Sequence, residues 1–215
     1  MRRRHCIALC AAAGLAWTHA PLHAQPAATV PVVIVVGDSL SAEYGLRRGT
    51  GWVALLEQRL AQQKIAARVV NASISGDTTS GGRSRLPALL AQHKPAVVVI
   101  ELGGNDALRG LPLQMTEDNL SAMTDAAQKA GAKVLLVGMQ VPPNYGTDYA
   151  NRFAALFEKV GRARKADVVP FLLKGVADGP DALGMFQADR IHPKEEAHPR
   201  MLENVWPALR RLLPR

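Results

Sequence analysis

Short apolar runs alternate with helical patterns along this chain, and this alternation limits the possible folds more than any other feature. The runs predict five strands, at residues 30–36, 67–72, 96–102, 133–137 and 168–172. Between the strands, and after the last one, apolar residues recur every three or four positions, which predicts amphipathic helices. Alternating strands and helices pair in parallel through right-handed crossovers. Because the central runs are apolar on both faces, we expect a three-layer α/β/α domain with a mainly five-stranded parallel sheet.

The first 24 residues have the pattern of a secretory signal peptide and are excluded from the predicted fold. Three arginines precede an apolar stretch, residues 6–17, that is too short to span a bilayer. We predict cleavage after Ala24 and a periplasmic or secreted protein. Residues 25–29 are then a short disordered lead-in, and residues 30–215 form one domain. A membrane anchor is the alternative interpretation of the apolar stretch.

Removal of this segment changes the composition in two ways. Both cysteines, Cys6 and Cys10, are lost, which excludes cysteine catalysis, cysteine metal sites and disulfides in the mature protein. The formal net charge falls from +8 to +5, because three arginines and no acidic residues are removed. The remaining basic residues are scattered and lack the interleaved aromatic residues that single-stranded nucleic acid requires. We expect no nucleic-acid partner and no stable membrane anchor, and weak attraction to anionic lipid stays open.

Glycine and polar residues follow the predicted strands, at the point where α/β folds place their ligands. These segments are residues 37–39, 71–79, 103–106 and 140–143, and residues 189–193 precede the final helix. Since the carboxyl ends of parallel strands meet at one edge of the sheet, we expect all five segments to lie near one another.

These loops contain every group that acyl transfer from an ester requires. Ser39 is the candidate nucleophile, and His192 is the candidate base that takes the serine proton and returns it to the leaving alcohol. Asp189 precedes the histidine by three residues, a spacing that suits a carboxylate orienting the imidazole. The candidate oxyanion donors are the backbone N–H groups of Ser39 and Gly76 and the side-chain amide of Asn105.

The same segments resemble the SGNH (GDSL-type) hydrolases, which are named for an invariant Ser, Gly, Asn and His in four blocks. The blocks are similar to residues 37–40, residues 71–79 with Gly76, residues 103–106 with Asn105, and Asp189 with His192. The resemblance covers residues 30–213 and is strongest to bacterial periplasmic esterases of the arylesterase, thioesterase I and lysophospholipase L1 type. It implies a flavodoxin-like SGNH fold without cofactor or metal. It also implies hydrolysis of acyl esters, thioesters and lysophospholipids through an acyl-enzyme on Ser39.

One residue departs from the family pattern. The last block commonly has glycine after its aspartate, and here that position is Arg190. Arginine adopts a positive φ less readily than glycine, so the loop geometry depends on this residue. We expect an effect on rate or on pH dependence rather than loss of the Asp189–His192 pair.

Apolar residues beside the site predict where an acyl chain binds. The first segment follows the candidate oxyanion asparagine and comprises Leu108, Arg109, Gly110, Leu111 and Pro112. Val141 and Pro142, after the fourth strand, are a second candidate wall. We expect small-molecule acyl esters or thioesters, with lipids among them, as substrates of a monomeric enzyme.

Two other functions remain open at this point. One is a carbohydrate O-acetyl esterase, which would use the same residues. The other is a non-catalytic periplasmic anion-binding protein, because Gly76 and Gly81 follow a strand with the separation of a phosphate loop. That segment lacks the lysine which such loops use.

Several polar residues near the motifs are interpreted as structural. Asp38 and Asp106 are expected to bond loop backbone, and His93 and His198 to lie on the surface. Pro193 is expected to begin the final helix and so to fix the histidine before it.

Overall fold

The computed structural model describes residues 30–213, and the predicted signal peptide and lead-in lie outside the described residues. Five strands form one parallel sheet: β1 Val32–Gly37, β2 Arg68–Asn71, β3 Val97–Glu101, β4 Lys133–Val137 and β5 Asp167–Val169. Their order across the sheet is β2-β1-β3-β4-β5. This is the flavodoxin-like order, in which ligands bind where the chain direction across the sheet reverses, between β1 and β3.

Helices cover both faces of the sheet, as the apolar strands require. They are α1 Trp52–Gln62, α2 Thr79–His93, α3 Gly104–Leu108, α4 Leu113–Lys129, α5 Thr147–Arg164 and α6 His198–Leu212. Alternate residues of β1 point to opposite faces: Val33 and Val35 pack with α1 and α6, while Ile34 and Val36 pack with α2, α4 and α5. The predicted three-layer α/β/α architecture is therefore confirmed.

The central strands were predicted to within two residues at each end, because β1, β3 and most of β4 are buried on both faces. The edge strand β5 is shorter than predicted, ending at Val169 instead of residue 172. Pro170 follows it directly, and proline has no N–H to continue the hydrogen-bond ladder.

One helix boundary was predicted wrongly. The last helix begins at His198 and not at Pro193, which instead forms an isolated antiparallel bridge with Phe186. A short 3₁₀ turn, Glu195–Ala197, separates the bridge from α6. Within residues 30–213, no helix combines the length and apolar character needed to cross a bilayer.

Candidate active site

Ser39, His192 and Asp189 form a continuous chain of hydrogen-bonding groups. Ser39 lies in the turn directly after β1, and its Oγ is 2.9 Å from Nε2 of His192. The other ring nitrogen, Nδ1, is 2.7 Å from Oδ2 of Asp189. The arrangement fixes the histidine tautomer, since Nδ1–H donates to the carboxylate and leaves Nε2 free to accept from the serine.

The loop that carries Asp189 and His192 is a tight turn. The backbone N–H groups of Ile191 and His192 donate to Oδ1 of Asp189 at 2.9 and 3.0 Å. Together with the imidazole bond, which contributes most, they lower the pKa of Asp189 to about 2. Asp189 is thus ionised at neutral pH.

Arg190 adopts a positive φ, the conformation that glycine would adopt more readily at this position. Its φ is 58°, in the left-handed region that glycine enters at lower cost. The N–H of Arg190 donates to the carbonyl of Gln187 at 2.9 Å, which closes the turn. The loop therefore keeps its shape with arginine at this position, with some backbone strain.

The candidate oxyanion donors lie on loops after three adjacent strands. Gly76 follows β2, Ser39 follows β1, and Asn105 lies in the first turn of α3 after β3. Gly76 has a φ of 79°, so glycine is the residue that adopts this backbone without strain. The structure therefore brings all three to the same stretch of the sheet edge.

Hydrogen bonds tie these loops together. The Ile74 N–H donates to the carbonyl of Gly37 at 3.0 Å, which links the loop after β2 to the end of β1. The guanidinium of Arg109 donates to the carbonyl of Gly76 at 2.9 Å, which links the loop after α3 to the same segment. The backbone around Gly76 is consequently held by the end of β1 on one side and by Arg109 on the other.

Asp38 orients the candidate oxyanion amide. The sequence predicted only that Asp38 would bond to loop backbone. Its Oδ1 accepts from the Leu40 N–H at 3.0 Å, as expected of a loop brace. Its Oδ2 accepts from Nδ2 of Asn105 at 3.0 Å, which fixes the rotamer of that amide. Burial raises the pKa of Asp38 to about 6, although the Leu40 N–H, His192 and Asn105 oppose the rise.

A buried polar chain supports the nucleophile turn from behind. The Ser41 hydroxyl donates to Oε2 of Glu101 at 2.7 Å and accepts from Nε1 of Trp52 at 3.1 Å. A Cβ at Gly37 would lie 2.7 Å from the Ser41 Oγ, so the close approach requires glycine. Burial, followed by the charge of Asp38, raises the pKa of Glu101 well above its ordinary value.

Asp106 is buried and braces the loops, as its sequence position predicted. Its carboxylate accepts from the Thr79 N–H at 2.9 Å and from the Thr79 hydroxyl, so it connects the start of α2 to α3. Thr78 caps α2 by accepting from the Gly81 N–H at 3.3 Å.

The predicted acyl-chain segments lie at the edge but do not form a closed groove. Leu108, Arg109, Gly110 and Pro112 are exposed, and Leu111 is half-buried. Val141 is 9% exposed, whereas Pro142 is exposed. Two surface pockets elsewhere, one against α1 and one between α4 and α5, are lined by none of the predicted site residues.

His198 was interpreted as a surface residue, and this is wrong. It is 2% exposed at the start of α6, and its Nδ1 accepts from the Trp52 N–H at 3.0 Å. The ring also interacts with the backbone of Pro193, beside His192. The spacing could have shown this, because His198 precedes Met201 and Leu202 by three and four positions on the apolar stripe of α6.

This burial predicts a pH dependence of stability. Burial lowers the pKa of His198 to about 4 from 6.5, against the charges of Glu43 and Glu195. The unfolded chain therefore binds a proton between about pH 6.5 and 4 that the native state does not, so the stabilisation present above pH 6.5 is lost as the pH falls. A shift of this size corresponds to about 3 kcal/mol.

A His198→Gln variant isolates this contribution, because glutamine retains an acceptor for the Trp52 N–H and does not titrate. We expect the free energy of unfolding of the parent protein, relative to the variant, to fall by about 3 kcal/mol from pH 7 to pH 4. Urea titrations at both pH values measure this difference. A difference that stays constant with pH would contradict the assignment.

Within residues 30–213, no group of three or more His, Cys, Asp or Glu side chains is placed to hold a metal ion. His192 contacts Asp189 and Ser39. His198, six residues later, accepts a hydrogen bond from the first residue of α1. The two histidines thus serve separate hydrogen-bond networks.

Comparison with known proteins agrees with the geometry. The GDSL-like lipase/acylhydrolase family profile matches residues 35–200. The esterase TesA of Pseudomonas aeruginosa is 54% identical over 186 residues, which are 86% of this chain and 91% of that protein. Thioesterase 1/protease 1/lysophospholipase L1 of Escherichia coli is 42% identical over 173 residues, 80% of either chain. A crystal structure of TesA aligns with a TM-score of 0.81 at 55% identity, covering 85% of this chain and 99% of that one.

The family profile spans most of the chain, and the two relatives align with 86% and 80% of it. The family and the fold that the sequence motifs predicted are therefore confirmed, and so is the prediction of an ester-hydrolysing enzyme. The chain belongs to the GDSL-like lipase/acylhydrolase family and is an esterase.

Proposed function

We propose that this esterase cleaves aryl and short-to-medium acyl esters, acyl thioesters and lysophospholipids through an acyl-enzyme on Ser39. The observation that carries the proposal is the hydrogen-bonded chain from Asp189 through His192 to Ser39, at the carboxyl edge of the sheet. This chain contains an acid, a base and a nucleophile in the order that acyl transfer needs.

In the first half-reaction His192 Nε2 takes the proton from Ser39 as Oγ attacks the substrate carbonyl carbon. The carbonyl oxygen becomes an oxyanion, which accepts from the N–H groups of Ser39 and Gly76 and from the Asn105 amide. The bond to the leaving oxygen or sulfur then breaks, and the leaving atom takes the proton from Nε2. Water repeats the sequence on the acyl-enzyme and releases the carboxylic acid.

Asp189 assists this cycle by remaining charged. Its pKa of about 2 keeps the carboxylate ionised while the histidine gains and loses its proton. The negative charge of Asp189, next to Nδ1, stabilises the imidazolium that forms during attack and holds the ring in the productive orientation.

The Asn105 amide has two N–H groups. One donates to Asp38, so the other remains for the oxyanion.

The substrate range rests on the apolar segments beside Ser39 and on the relatives. Leu108 and Leu111 offer apolar surface for an acyl chain near the candidate oxyanion donors, and Val141 is buried behind that surface. The name of the Escherichia coli relative includes thioesterase and lysophospholipase activities, and that protein is 42% identical to this chain over 173 residues. We propose that the acyl chain of a substrate lies along this surface, which forms a shallow open groove beside Ser39.

The location and assembly state also belong to this proposal. The pattern of residues 1–24 supports export with cleavage after Ala24, to the periplasm or the medium. We propose a mature monomer that works without cofactor or metal, because the proposed mechanism uses only side chains and backbone N–H groups of one chain.

A series of p-nitrophenyl esters from acetate to laurate tests the substrate class. We expect kcat/KM to rise with chain length beyond acetate and then to level off, because each added methylene buries more apolar area in the groove. The Ser39→Ala variant is the control for background hydrolysis. Activity on acetate alone would contradict the groove and favour a carbohydrate O-acetyl esterase.

A further inference from the structure

The ring of Tyr44 packs against the imidazole of His192, and the mechanism above does not use it. The ring centroids are 4.2 Å apart and the planes are inclined by 34°. Tyr44 nevertheless remains 50% exposed, so part of its ring faces solvent next to the candidate base. A half-exposed aromatic ring in contact with a reacting group is positioned to contact a substrate as well.

Gln187 joins the backbones of the two loops that carry these rings. Its Nε2 donates to the carbonyl of Tyr44 at 3.0 Å and to the carbonyl of Pro193 at 3.1 Å, so one amide joins the two loops. Its backbone N–H donates to the carbonyl of His192 at 2.8 Å. A Cβ at Gly45 would lie 2.2 Å from Oε1 of Gln187, so the close fit requires glycine beside Tyr44. The backbone of Tyr44 is thus held at a fixed place beside the loop of His192.

The chemistry of the proposed site determines which part of the substrate meets this ring. In the proposed mechanism the oxyanion faces Gly76, after β2, and Asn105, in the first turn of α3. The leaving oxygen must lie within hydrogen-bond reach of Nε2 of His192, because it takes its proton from that atom when the carbon–oxygen bond breaks. The remainder of the leaving alcohol therefore extends over the surface next to His192, where Tyr44 is exposed.

We propose that Tyr44 is a specificity-determining residue that binds the leaving group and favours esters whose alcohol carries an aromatic ring. This inference rests on the proposed function of Ser39 and His192. Two packed aromatic rings attract each other more strongly than the burial of their apolar area accounts for. The typical extra attraction corresponds to a roughly 2- to 12-fold preference in kcat/KM.

Two esters that differ only in the leaving ring test the inference: 2-phenylethyl butanoate and 2-cyclohexylethyl butanoate. They share the acyl group and hence the acyl-enzyme, and both leave as primary alcohols of similar size and acidity. The ratio of their kcat/KM values therefore reports on contacts of the leaving group during acylation. We expect the parent enzyme to prefer the phenyl ester by roughly 2- to 12-fold.

Two variants separate recognition by the ring from support of the imidazole. Tyr44→Phe keeps the ring and should keep the preference, whereas Tyr44→Leu should bring the ratio to about one while the cyclohexyl ester is still cleaved. Equal loss on both esters in Tyr44→Leu would overturn the inference, since it would mean that Tyr44 only positions His192. An unchanged ratio in Tyr44→Leu, or no preference in the parent enzyme, would also overturn it.

Failure of the proposed function has a different signature. If both esters are cleaved as fast by Ser39→Ala as by the parent enzyme, the assignment of the nucleophile is wrong and the leaving-group argument falls with it. If Ser39→Ala is inactive while the ester ratio shows no dependence on Tyr44, the nucleophile stands and only the inference about Tyr44 is rejected.

Discussion

Replacing Ser39 with alanine is expected to lower kcat for p-nitrophenyl butanoate by roughly four to six orders of magnitude. The Ser39 hydroxyl is the proposed nucleophile, and no acyl-enzyme can form without it. His192→Ala should cost about as much, because the serine is a weak nucleophile without its base. The double variant should be little worse than either single variant, since the two residues act as one unit.

Matched controls separate this loss from damage to the fold. Ser80 is exposed on α2 and His93 is half-buried at the end of the same helix, so Ser80→Ala and His93→Ala should retain kcat. Circular dichroism and the urea midpoint should show that Ser39→Ala and His192→Ala remain folded. Near-normal turnover in either of these two variants would refute the mechanism.

Asn105→Ala is expected to lower kcat by roughly 100- to 1000-fold with a smaller change in KM. The amide of Asn105 is a proposed oxyanion donor, and it is already oriented by its 3.0 Å bond to Oδ2 of Asp38. A donor aimed at charge that develops in the transition state contributes mainly to kcat, because the neutral ester carbonyl needs it less.

Asn204→Ala provides the matched control for this substitution. Asn204 also donates through its side-chain amide, to the carbonyls of Leu172 and Lys174 at 2.8 Å, but it lies on α6 away from Ser39. We expect Asn204→Ala to lower the urea midpoint while kcat is retained. A kcat within a few-fold of the parent value for Asn105→Ala would remove Asn105 from the oxyanion site.

The sequence predicted the sheet well where burial alone determines the structure. The strands β1, β3 and β4 are apolar runs covered on both faces, so the run of apolar residues is enough to predict each strand. The strand β5 lies at the edge and is only partly buried, and its end depends on Pro170. Local pattern is weaker there because fewer neighbours constrain the chain.

The nucleophile and the candidate oxyanion donors could be predicted because Ser39, Gly76 and Asn105 each follow a strand. Ser39 and Asn105 come after β1 and β3, where the sheet order reverses, and the topology brings them together. The pairing of Asp189 with His192 was also predictable from their spacing of three residues. Arg190 with a φ of 58° shows that the loop tolerates a residue which the sequence pattern disfavours.

Contacts between distant segments were not predictable in the same way. Gln187 bonds to the backbone of Tyr44, and His198 bonds to the backbone of Trp52. Neither residue stands in a motif. Gln187 joins two loops, and His198 joins the starts of α6 and α1, and these segments approach each other only in the folded protein. Polar side chains at such junctions resemble surface residues in sequence, which explains why His198 was assigned to the surface.

The measurement that tests the central claim most directly is labelling by a fluorophosphonate, followed by intact mass and peptide mapping. The account predicts one adduct per chain on the peptide that contains Ser39, and none in the Ser39→Ala variant. Labelling should also fail in His192→Ala, because the serine then lacks the base that activates it. An adduct on another residue, or a folded parent protein that takes no label, would contradict the assignment of Ser39 as the nucleophile.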